Sequence, residues 1–87
     1  MLTIVCYDAA SRRGARLMKI CRKYLKHMQK SVFVGILTEG KLNQLKRELD
    51  SVIVYEEDLI SIICISVLKY VQIEQLGKTE LNDNQII

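Results

Sequence analysis

Two stretches of the chain carry almost no polar residue. Leu2–Tyr7 is interrupted only by Thr3, and Leu59–Leu68 only by Ser61 and Ser66. Short, almost wholly apolar runs predict strands buried on both faces, in the middle of a sheet. Between them the period changes. Leu17, Ile20, Cys21, Tyr24 and Met28 recur at steps of three and four, which predicts an amphipathic helix over Arg12–Met28 with Ser11 as its N-cap. Gln29–Leu37 is β-favouring again and holds Gly35, so it reads as one strand with a bulge or as two short pieces meeting at a bend. Leu42, Leu45, Leu49 and Val52 restore helical spacing over Thr38–Ile53. Thr38 is placed to cap that helix, and Glu39 suits the positive end of its dipole. Glu56-Glu57-Asp58 forms an acidic connection to the second apolar run. Beyond it Lys69–Leu76 alternates, Val71 and Ile73 against Tyr70, Gln72 and Glu74, as an edge strand or an arm does.

The predicted order is strand, helix, strand or hairpin, helix, strand, strand. Two helices on one face of a mostly antiparallel sheet give an α+β, ferredoxin-like sandwich of βαββαβ type, with an extra C-terminal edge strand. Residues 1–76 are expected to form this domain and residues 77–87 a polar tail. At 87 residues the chain is one domain. A domain this small buries only about 60–65% of its unfolded surface, so burial against a partner helps it.

Charge changes the picture because it is uneven. Residues 1–30 hold eight basic side chains against one acid, Asp8; residues 31–87 hold five against nine. Arg12, Arg16, Lys19, Lys23 and Lys26 recur on the side of the first helix opposite its apolar stripe. Such a stripe suits a polyanion, and it also suits plain solvation of a helix face. Cys6, Cys21 and Cys64 fall in apolar surroundings without metal-ligand spacing and read as small buried hydrophobes; His27 is the sole histidine. The ten-residue apolar run is too short to span a bilayer and no secretory signal is visible, which points to a cytoplasmic protein without a membrane partner.

The candidate chemistry centres on Asp8, where a buried strand ends and a basic helix begins. The plain alternative is a turn or capping aspartate. Its context goes further. Tyr7-Asp8 closes the first strand, Arg12-Arg13 open the basic helix, and Cys21-Arg22-Lys23-Tyr24 lies near that helix's end. Gln29-Lys30-Ser31-Val32-Phe33 and Leu37-Thr38-Glu39 follow, then Glu57-Asp58 and an apolar strand. In this order and spacing, over roughly residues 2–68, the string resembles the second CRISPR-associated protein family, the small partner of the CRISPR integrase.

That resemblance implies a ferredoxin-like homodimer whose C-terminal strand packs against the partner's sheet. It implies a protein that bridges integrase dimers during spacer acquisition. It also implies a metal-dependent endonuclease acting on single-stranded RNA or double-stranded DNA, with Asp8 binding a divalent metal, Mg²⁺ or Mn²⁺ in its place. One carboxylate per chain is too few for a hydrolytic metal site, so Asp8 and its copy across a two-fold axis would share the ion. Arg12, Arg13 and Arg16 are the expected phosphate ligands, with Lys19, Lys23 and Lys26 extending the track. The sequence departs from the family at Tyr24-Leu25, where a Tyr-Gly pair is common, and at Val34, where many members carry an acid. The alternatives are a non-catalytic DNA-binding scaffold and an RNA-cleaving toxin of similar fold.

Overall fold

Strand β1 (Leu2–Asp8) runs through the middle of a four-stranded antiparallel sheet, between β3 (Val32–Ile36) and β4 (Leu59–Ile65), with β2 (Lys26–Gln29) outside β3. Helices α1 (Ser11–Tyr24) and α2 (Glu39–Asp50) complete the βαββαβ order. The computed structural model describes residues 1–66 and 68–78. Most of the tail expected over 77–87 lies outside the described residues.

Alternation along β1 sorts the core into two layers. Val5 faces the helices, where it joins Leu17 and Cys21 of α1, Phe33 of β3, Leu42, Leu45 and Leu49 of α2, and Leu25 and Leu37 from the connections. Leu2 faces the other way with Ile4 and Val34. Cross-strand register places Val5 opposite Phe33 on one side and opposite Ile62 on the other. Phe33 is fully buried. Tyr7 and His27 stack on it, with ring centroids 6.1 and 4.5 Å away.

Several expectations need correction. Helix α1 stops at Tyr24, not Met28. Leu25 leaves helical geometry and turns into the core, and Lys26–Gln29 becomes the outer strand of a hairpin. Met28, which fits the helical stripe by spacing, packs instead near Leu2 and Val34. The bulge lies in β2 between His27 and Gln29, not at Gly35. Gly35 serves a close approach instead, since a Cβ there would stand 3.0 Å from Leu25 Cδ2 and 3.4 Å from Leu25 Cα. Glycine at this position lets β3 pass close beneath the end of the helix. Ser11 is the first helical residue, and the N-cap, Ala10, makes no side-chain cap. Thr38 does cap α2, its Oγ1 accepting from the Lys41 amide at 3.2 Å.

Two further corrections concern surfaces. The second apolar run forms β4, an edge strand rather than a central one, and Leu59 and Ile63 are 65% and 48% exposed. Cys64 is exposed as well, whereas Cys21 is buried, and its burial pushes the thiol up to about 12. Residues 69–76 form no strand within this single chain: Leu68–Tyr70 make a 3₁₀ turn and the chain continues without ladder partners. The alternation is used differently. Leu68, Val71 and Ile73 cover the helix-free side of the sheet over Leu2, Ile4 and Val34, and the Gln75 amide donates to the Met28 carbonyl at 3.2 Å.

Candidate functional site

Asp8 is the last residue of β1 and is exposed. It lies in the row of Leu2, Ile4 and Cys6, on the helix-free side, opposite Leu59 in the ladder. Leu68, Val71 and Ile73 cover the Leu2 end of that side, and among the described residues none packs over the Asp8 end. Exposed Leu59 of β4 stands opposite Asp8 at this corner, and exposed Ile63 lies farther along the same face, opposite Ile4. Tyr7 points the other way, as alternation requires. Its hydroxyl donates to the Gly14 carbonyl at 3.2 Å, tying the first turn of α1 to the strand.

The basic residues divide into two groups. Arg12, Arg16, Lys19 and Lys26 are exposed, and among the described residues none forms an ion pair. Arg13 and Lys23 are engaged. Arg13 Nε donates to Asp58 Oδ2 at 2.6 Å and Nη2 to Oδ1 at 3.0 Å, with Glu57 3.6 Å away. Lys23 pairs with Glu48, which also accepts from the Tyr24 hydroxyl and so joins α1 to α2.

Asp58 is the residue that sequence reasoning undervalued. It looks like one of three acids in a wet loop, yet its side chain is fully buried. Oδ2 also accepts from the Val54 amide at 2.8 Å. The Arg13 fork, and then the Val54 amide, hold its carboxyl below the ordinary 3.8 against the opposing effect of burial. A depressed folded-state pKa stabilises the fold above the unfolded value, and that contribution disappears as pH falls through the folded value. Asp58→Asn is therefore expected to lower stability at neutral pH and to flatten its loss below about pH 3.8. Urea unfolding at a series of pH values checks this; parallel curves for the two proteins would refute it.

Asp8 supplies a hard carboxylate oxygen of the kind Mg²⁺ prefers. Among the described residues, however, no three His, Cys, Asp or Glu side chains gather to hold a metal. No helix among the described residues is long and apolar enough to cross a membrane.

The fold and this corner define a small ferredoxin-like domain that sets an exposed strand-end aspartate beside the start of a basic helix. Comparison with known proteins makes the assignment specific. The family described as CRISPR associated protein Cas2 matches residues 1–73, and the chain belongs to that family. It is 36% identical over 87 residues to a CRISPR-associated endoribonuclease Cas2 of Dictyoglomus turgidum, covering all of both chains. It is 37% identical over 86 residues to the protein of that name from Thermotoga maritima, covering 99% of each. A solved structure described as "Crystal structure of cas2" superposes with a TM-score of 0.82 at 30% identity, covering 100% of this chain and 98% of the other.

Proposed function

We propose that the protein works in CRISPR adaptation as a homodimer that bridges integrase dimers, and that it cleaves RNA or DNA phosphodiesters in a metal-dependent reaction centred on Asp8. The observation that carries this reading is the open corner of the sheet. Asp8 is exposed on the helix-free side, opposite Leu59, and exposed Ile63 lies farther along the same face of β4. A second copy placed there about a two-fold axis buries Leu59 and Ile63 and brings the two aspartates together. Like charges at close range repel, and a shared Mg²⁺, or Mn²⁺, relieves that repulsion. A divalent cation so held polarises the phosphate and lowers the pKa of a bound water. Arg12 and Arg16 lie in the first turns of α1, close after Asp8 in sequence, and are free to fork onto phosphate oxygens; Lys19 and Lys26 add further positive charge. The relatives' name, endoribonuclease, supports the enzymatic part.

A second reading, a scaffold without catalysis, draws support from Val34. It stands where many family members carry an acid, and here it is fully buried beside Leu2. Labelled single-stranded RNA and double-stranded DNA incubated with Mg²⁺, Mn²⁺ or chelator, beside an Asp8→Ala control, separate the two. Cleavage requiring both metal and Asp8 is expected; no cleavage, or cleavage that survives in the variant, favours the scaffold.

A further inference from the structure

The Arg13–Asp58 pair reaches beyond α1. Asp58 immediately precedes Leu59, the ladder partner of Asp8. Its carboxylate also lies close enough to the Ala10 amide for that group to help hold it ionised. Ala10 is the N-cap of α1, and its own side chain caps nothing. The Arg13 fork joins the first turn of α1, shortly after Asp8, to the residue that precedes Leu59, across the ladder from Asp8. The fork of Arg13 holds Asp58 at both oxygens, and the Val54 amide holds it from behind.

We propose that Arg13 and Asp58 are positioning residues that set the carboxylate of Asp8, and that Arg13 is not a phosphate ligand. The inference rests on the reading of Asp8 given above, but its test does not depend on cleavage alone. Three variants, Arg13→Gln, Arg13→Lys and Asp58→Asn, are compared with the wild-type dimer. Amide hydrogen exchange is read at Ala9 and Ala10, with Val5 in the middle of β1 as the internal reference. The salt dependence of binding to a short DNA duplex is measured on the same samples.

All three variants are expected to speed exchange at Ala9 and Ala10 by about tenfold or more while Val5 is unaffected. Their salt slopes should match wild type, because no phosphate contact is lost. Cleavage should show kcat falling by about tenfold or more with KM within about twofold, since misplacing a reacting group costs turnover rather than binding. The proposal is overturned if Arg13→Gln loses about 0.9 of slope while Arg13→Lys keeps it. It is equally overturned if exchange at Ala9 and Ala10 stays at the wild-type rate, or rises no more than at Val5. A wild-type protein that cleaves nothing ends the nuclease reading alone, and exchange and salt slope still decide the clamp.

Discussion

Dimers refolded together from equal amounts of wild-type and Asp8→Ala chains are expected to keep about a quarter of the wild-type cleavage rate. The reasoning is statistical. If the reacting site needs a carboxylate from each copy, only dimers with two intact chains work, and activity falls as the square of the wild-type fraction. A complete site within each chain would leave half of the rate. An aspartate with no part in the reaction would leave all of it. The quarter follows from the shared site proposed above; among the described residues no three His, Cys, Asp or Glu side chains gather to hold a metal. The variant should otherwise behave as a normal protein. Asp8 is exposed and at a strand end, so its replacement should alter stability by no more than about 0.5 kcal/mol. Rate against mixing ratio, with dimer mass measured on the same samples, gives the answer, and a straight line through the mixtures would rule out a shared site.

Phe33→Ala is expected to be the most destabilising single change in the chain. The side chain is fully buried where both helices meet the sheet, and the rings of Tyr7 and His27 stack on it. Truncating a buried phenylalanine costs about 3–5 kcal/mol, transfer and cavity effects together. A domain of this length has only roughly 4–13 kcal/mol to lose. Much of the variant should therefore be unfolded at 37 °C. The loss also reaches the site, because Tyr7, held between Phe33 and the Gly14 carbonyl, anchors the start of α1. Phe33→Leu keeps most of the volume and should cost less than about 1.5 kcal/mol. Urea unfolding at fixed protein concentration measures both; similar midpoints for the two variants would show that ring volume is not what matters there.

The two apolar runs, the helical periods and the capping threonine were legible because each is written in local spacing. The end of α1 was not. No glycine or proline marks it, and Met28 continues the helical stripe, so only the tertiary pull of Leu25 into the core reveals the break. Strand β2 was hidden because so short a segment, with only Met28 apolar, makes no periodic signal. The apolar run of β4 indicated a buried central strand, whereas among the described residues it forms an edge with Leu59 and Ile63 exposed. At the site, Asp8 was legible from its place between a buried strand and a basic helix. The division of labour among the basic residues was not. Arg13 and Arg16 look equivalent in a helical projection, and what separates them is a buried carboxylate 45 residues away in sequence.

The sequence of β4 also sets a condition on how the protein is made. Its seven residues, Leu-Ile-Ser-Ile-Ile-Cys-Ile, include no lysine, no proline and no charge, and one side of the strand has no ladder partner among the described residues. Natural edge strands normally carry such gatekeepers to keep neighbouring chains from adding on. Without them, a newly synthesised chain is exposed to runaway self-association until a proper partner covers it. High expression without that partner should yield inclusion bodies, and solubility should depend on how quickly chains pair rather than on how stably each one folds.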